Sequence, residues 1–450
     1  MSTYAQPGGK RQKVKEGRAA DSVDYFQGIE KVEFNTAASA TDTLSYRYYN
    51  AAERLHSKTM EDWLKYSLSF TEFRTCSAEY PRTSNNRPWD DNSHSMDNYK
   101  RCIKAFFDLC TKLGVKYWTA YDSDLLHLSD SWEENKTNFD EIVEYIHELG
   151  QRYHVKLLWL APDLHTHPRY TTGAFTNNDA NVFAHAATQI KKCLEVSQRL
   201  NAECFLIWPH REGYDAIFQS DVARELKLFV KLLKITAEYK DRLNSKLQLL
   251  IMPYRFNGMQ KWRDTEILNH YMWDITSCLF FLKNYGLDRQ YKVCSPPGHH
   301  MYMANAYNML GGVTIINEYD LSQTKSLTLM MKSIIDQNTA PLGGINLKLR
   351  LRRDADARDA AVCYVKYIDV IAKALRVACN IVGEQIFSKH VQQRYISYYS
   401  GFGARVVSAD VTLEECEEYY KKNQVHEVTN SKCEHFDFVF QRYLDSCDHI

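Results

Sequence analysis

Gly343-Gly-Ile-Asn-Leu-Lys-Leu-Arg-Leu-Arg-Arg353 is the stretch from which the fold is read. Ile345, Leu347, Leu349 and Leu351 alternate with Asn346, Lys348, Arg350 and Arg352, and this period of two predicts a strand. One face is apolar throughout, the other polar throughout, and a long helical pattern follows. In a parallel barrel the apolar face meets an outer layer of helices, and polar side chains at the strand's far end line a site.

Working outward, short apolar runs of strand length recur over 115–121, 155–159, 204–208, 247–252 and 313–316. Amphipathic patterns predict helices over 96–113, 182–200 and 220–239, and a last one over about 359–381. Strands alternating with helices require parallel pairing with helical crossovers. Eight such units close a TIM (β/α)8 barrel, and that α/β fold is expected here.

The totals narrow the function classes. Lys+Arg and Asp+Glu are both 56 in 450 residues, so the charge balance points to neither a nucleic acid nor a membrane surface as partner. No apolar run reaches the length of a membrane span. The twelve Cys show no C-x-x-C pairing and fall largely in helical patterns, which suits reduced core residues of a cytoplasmic protein. No P-loop, G-x-G-x-x-G after a strand, G-x-S-x-G or H-E-x-x-H occurs, and no cofactor is expected. Residues 1–24 read as a basic tail, with Lys10, Arg11, Lys13 and Lys15 available to a protein partner.

From Tyr25 onward the chain resembles the xylose isomerases. Tyr25-Phe-Gln-Gly-Ile-Glu-Lys31, Tyr46-Arg-Tyr-Tyr-Asn50, Lys58-Thr-Met-Glu-Asp-Trp63 and Arg87-Pro-Trp-Asp90 match segments that open that family. Gly343-Gly-Ile-Asn-Leu-Lys348 matches its last barrel strand. The resemblance implies a barrel over 25–386 and an extended helical arm over 387–450. In the family that arm embraces a neighbouring subunit, which implies a homo-dimer or tetramer.

It also implies a two-metal site, and this chain departs from it position by position. The family's ring-opening His becomes Tyr121, although the partner Asp124 remains. A ligand Glu becomes Met252 and the Lys that assists hydride transfer becomes Tyr254. The bridging Glu becomes Pro296, and ligand Asp residues become Thr314 and Lys348. A charged ammonium has no lone pair and cannot ligate a cation. Of the ligand positions only His299 keeps a ligating side chain. Trp89, Trp159, Trp208, Arg211 and Glu212 match the family's sugar pocket.

The expectation is therefore a catalytically inactive, isomerase-derived structural subunit of a larger assembly, with a cytoskeletal or ciliary one among the options. Lys348 is expected to neutralise Asp122 or Asp124 in place of a metal. Two alternatives stand beside it: an isomerase whose metal site is rebuilt from His299, Glu318 and Asp320, and a sugar-binding regulatory module.

Overall fold

The computed structural model describes residues 23–74, 87–91, 93–126, 132–253, 268–316, 324–352, 355–408, 411–424 and 430–446. Eight parallel strands close a barrel: β1 (Tyr66–Ser69), β2 (Tyr117–Tyr121), β3 (Lys156–Ala161), β4 (Cys204–Ile207), β5 (Gln248–Ile251), β6 (Tyr291–Ser295), β7 (Leu310–Ile316) and β8 (Ile345–Lys348). Each strand is followed by a helix: α1 (Met96–Lys112), α2 (Trp132–Tyr153), α3 (Ala180–Arg199), α4 (Val222–Arg242), α5 (Ile275–Asn284), α6 (His299–Ala306), α7 (Thr324–Asp336) and α8 (Ala357–Glu384). β8 pairs with β1, Asn346 opposite Ser67, so the sheet has no free edge.

The period of two sorts each strand's side chains between two cores. Phe205, Ile207, Leu249, Ile251, Ile345 and Leu347 join the layer between barrel and helices. Leu158, Cys204, Leu206, Leu250 and Met252 fill the barrel's interior. Polar residues also face it, and Asn346 Oδ1 accepts from the hydroxyls of Ser67 at 3.2 Å and Thr119 at 2.9 Å. Side-chain caps start the helices where the sequence changes period. Ser95 accepts from Asn98 N, Asp179 from Asn181 N and Asp221 from Arg224 N.

The opening stretch behaves as its alternation predicts, but its strand ends at Lys348, opposite Ile316 at the end of β7. Beyond it no strand among the described residues pairs with it, although Leu349 and Leu351 stay buried. Gly344 carries φ +57°, and a Cβ there would sit 2.2 Å from Lys65 O. That close approach lets the chain enter β8 beside β1. Two strands, β1 and β6, are absent from the sequence reading. In β1 the serines at 67 and 69 face the barrel's polar interior, so Tyr66-Ser-Leu-Ser69 lacks an apolar run.

The C-terminal region is helical: α9 (Ile386–Arg394), α10 (Gly401–Ser408), α11 (Leu413–Lys422) and α12 (Cys433–Ser446). Gln385, at φ 58°, breaks the chain between α8 and α9. The first three of these helices bury none of their described residues, whereas α12 returns to the barrel. There Phe440 and Leu444 pack on Val377 and Ile381 of α8. Among the described residues no helix is long and apolar enough to cross a membrane. The tail with Lys10, Arg11, Lys13 and Lys15 lies outside the described residues.

Candidate functional site

At the C-terminal ends of the strands, where barrel enzymes carry their chemistry, an aromatic cluster surrounds one cation. Lys348, the last residue of β8, holds Nζ 5.5 Å from the Tyr121 ring centre and 5.2 Å from that of Trp208. Its counter-ion is Glu72, whose Oε1 lies 3.5 Å from Nζ, with the two side chains only 13% and 5% exposed. Glu72 sits on a short helix, Phe70–Arg74, that opens directly after β1. The Ser69 hydroxyl donates to its other oxygen.

This corrects the partner expected for Lys348. Asp122 instead accepts from Asp163 N at 2.7 Å, Gln189 Nε2 at 2.7 Å and Cys193 Sγ at 3.3 Å. Asp124 accepts from Thr71 Oγ1 at 2.6 Å and Tyr121 N at 2.9 Å. Hydrogen bonds alone do not offset full burial, which pushes each carboxyl up to about 6. Glu72 escaped sequence reading because Phe70-Thr-Glu-Phe-Arg74 has no recognisable motif; the available signal was its position one turn past a barrel strand.

Imidazoles complete the cluster. His165 lies 5.5 Å from Tyr121 and 4.8 Å from Trp208, ring centre to ring centre, and His210 lies 4.4 Å from Trp208. Burial, with the charges of Lys348 and Arg211 added, lowers the pKa of His165. Burial, His165 and Arg211 bring His210 down to about 2, so both rings are neutral at pH 7. Asp163 keeps its carboxyl ionised and places Oδ1 3.1 Å from His165 Nδ1. Burial holds the Tyr121 hydroxyl protonated far above its usual range, so it can serve only as a neutral donor or acceptor. Among the described residues the Tyr121 hydroxyl and the Trp159 and Trp208 indole N–H groups are buried without a hydrogen-bond partner. Buried donors of this kind normally find an acceptor, and donors gathered near the Lys348 ammonium suit an oxygen-rich guest.

The other sequence candidates separate from this cluster. Trp89 stacks on Phe73 at 4.9 Å and Phe26 at 5.3 Å, in the core formed by the N-terminal segment. Glu212 is a loop clamp, its carboxylate accepting from the backbone N–H groups of Ala174, Phe175 and Thr176 and from the Thr176 hydroxyl. Met252 is buried in the barrel's interior cluster, Pro296 is buried, and the Thr314 hydroxyl lies 3.3 Å from Cys294 Sγ. His299 is exposed at the start of α6. Tyr254, Glu318 and Asp320 lie outside the described residues. The family's pair of divalent cations does not fit the side chains present. An ammonium, a thioether and a proline ring replace carboxylates, and among the described residues no three His, Cys, Asp or Glu are grouped to hold a metal.

Comparison with known proteins gives one consistent likeness. A family model described as the XylA2 C-terminal domain matches residues 391–444. The chain is 30% identical over 453 residues to a xylose isomerase of Arabidopsis thaliana, covering 94% of this chain and 93% of the relative. It is 30% identical over 445 residues to a xylose isomerase of Caldicellulosiruptor bescii, covering 94% and 99%. Among solved structures, an L-ribulose 3-epimerase aligns with 71% of this chain and 97% of its own at 11% identity, with a TM-score of 0.47. Near-full-length likeness to named enzymes overturns the expected inactive scaffold, and the cytoskeletal or ciliary placement that rested on it loses its support. That expectation equated loss of metal ligands with loss of chemistry, whereas the mouth still holds a cation beside a carboxylate.

Proposed function

The chain belongs to the xylose isomerase family, and from that premise we propose that it is a sugar isomerase whose own side chains transfer the proton. The observation that carries this is the Lys348–Glu72 pair, 3.5 Å apart and largely withdrawn from water at the barrel's mouth. Aldose–ketose interconversion requires a base for the proton on the carbon next to the carbonyl and a positive charge beside the carbonyl oxygen.

In this reading the Glu72 carboxylate takes the C2 proton of the open-chain sugar. The electron pair forms the C1–C2 double bond, and negative charge grows on O1 beside the Lys348 ammonium. Glu72 then returns the proton to C1 while the O2 hydroxyl passes its own proton to O1, which leaves a ketose. Asp124, with its carboxyl near 6, is the residue suited to exchange protons during ring opening. The Trp159 and Trp208 N–H groups and the Tyr121 hydroxyl offer hydrogen bonds to sugar oxygens.

The test is proton NMR in D2O containing a chelator, with pentoses and hexoses supplied to the purified protein. Expected is chelator-resistant interconversion with solvent deuterium appearing at C1 or C2, lost in both Glu72→Gln and Lys348→Met. Turnover that vanishes with the chelator, or no deuterium in any sugar, would reject the proposal.

A further inference from the structure

Aldose–ketose interconversion moves two protons. Glu72 accounts for the one on carbon. The other passes from O2 to O1, and a side chain that carries it needs a free lone pair and little charge of its own. At the mouth the Lys348 ammonium has no lone pair, and burial keeps the Tyr121 hydroxyl protonated. His210, with its pKa down at about 2, is a poor base.

His165 is placed for that transfer. Its ring lies 5.5 Å from that of Tyr121 and 4.8 Å from that of Trp208. The same two rings flank Lys348 Nζ at 5.5 and 5.2 Å, so imidazole and ammonium border one space. Asp163 sets the imidazole's tautomer. Its Oδ2 accepts from the Ser123 and Thr166 hydroxyls, and its Oδ1 from the backbone N–H groups of His165 at 3.3 Å and Thr166 at 3.0 Å. Held this way, Oδ1 lies 3.1 Å from His165 Nδ1. The contact is off the line of an N–H hydrogen bond. Two lone pairs that close would still repel, so the proton belongs on Nδ1 and the lone pair on Nε2. Nδ1 is buried, and the 15% of the side chain left exposed belongs to the rest of the ring.

We propose that His165, oriented by Asp163, is the catalytic residue that carries the hydroxyl proton from O2 to O1, an assignment that rests on the isomerase reading above. The O2–H bond breaks as Nε2 takes the proton. The electron pair left on O2 closes the C2 carbonyl while C1 receives its proton from Glu72. The imidazolium then returns the Nε2 proton to O1, and the neutral ring is restored. Asp163 offsets the transient positive charge, and Nδ1 keeps its proton throughout. A carboxylate that works on carbon beside a neutral imidazole that works on oxygen is an established division of labour in such proton transfers.

The test follows the two protons separately. In D2O with a chelator, His165→Ala should still admit solvent deuterium to the aldose at C2, while ketose formation falls about a hundred-fold or more. Added imidazole should restore part of that loss in His165→Ala and none in Glu72→Gln, a response that a purely structural residue does not give. Nitrogen NMR of the sugar-free parent should find the His165 proton on Nδ1, and Asp163→Asn should shift that balance and slow ketose formation. Ketose formation unchanged in His165→Ala, exchange and ketose formation lost together, no rescue by imidazole, or a parent ring protonated on Nε2 would each overturn the assignment and leave Glu72 and Lys348 as the isomerase pair. A parent that neither exchanges nor isomerises rejects the isomerase reading itself, and this assignment with it. Circular dichroism of each variant separates loss of catalysis from loss of fold.

Discussion

Replacing Lys348 by Met removes the ammonium at the centre of the mouth cluster, and its consequences follow from the geometry. At 3.5 Å from Glu72, the Coulomb attraction is about 5 kcal/mol at an effective dielectric near 20. Contacts with Tyr121 and Trp208 at 5.5 and 5.2 Å each add about 0.5–1 kcal/mol. Removing an ammonium that is 13% exposed also relieves its desolvation cost. The net loss expected is about 3–5 kcal/mol, the range seen when one partner of a buried pair is deleted. Glu72→Gln should cost a similar amount, because it strands the ammonium. The double variant carries neither charge and should lie within about 2 kcal/mol of the parent. The assay is guanidinium unfolding of all four proteins at pH 7, followed by far-ultraviolet circular dichroism and tryptophan fluorescence. Two single losses of that size against so small a double loss give a coupling of at least about 4 kcal/mol in the cycle. A Lys348→Met variant within about 1 kcal/mol of the parent, or strictly additive single effects, would refute the ion pair as described.

Three further outcomes are expected. Asp124 has its carboxyl raised from 3.8 to about 6 in the fold, so between those values the native state binds more protons than the unfolded chain. Its contribution is therefore fully present below pH 4 and is lost as pH rises through 6. Relative to Asp124→Asn, the parent should gain about 3 kcal/mol on going from pH 7 to 4; a flat difference between their unfolding curves would reject the buried-acid assignment. Gly344→Ala places a Cβ 2.2 Å from Lys65 O at φ +57°, and should destabilise by about 2–5 kcal/mol in denaturant titration. Glu212→Gln offers one acceptor where the carboxylate meets four donors, so a loss of about 2–4 kcal/mol is expected. Faster hydrogen exchange at Ala174, Phe175 and Thr176 would locate that loss, and unchanged exchange would count against the clamp.

Much of the barrel was legible in the residues themselves. Alternation at Ile345–Leu351, short apolar strand runs and helical spacing each report local geometry, and closure follows from repeating the unit. β1 was hidden because an interior-facing Ser and a surface-facing one look alike in sequence, and β6 because Lys292 interrupts its apolar run. The site was legible only in part. Sequence located the positions at Tyr121, Met252, Pro296, Thr314 and Lys348 and the exchange of ligands there, since side-chain chemistry alone excludes an ammonium or a proline ring as ligand. It misjudged what the exchange means, because absence of metal ligands says nothing about which carboxylate a new cation meets. Glu72 and Lys348 lie far apart along the chain and become neighbours only because β8 closes on β1. The same closure gathers Trp159, Trp208, His165 and His210 from the ends of two other strands. Trp89 and Glu212, which the resemblance placed in the pocket, are drawn away by an aromatic stack and a loop's backbone amides. Residue chemistry and local periodicity are properties of the chain and determine strands, helices and the loss of ligands. Which charges share a low-dielectric site depends on packing between distant segments, and only the tertiary structure decides it.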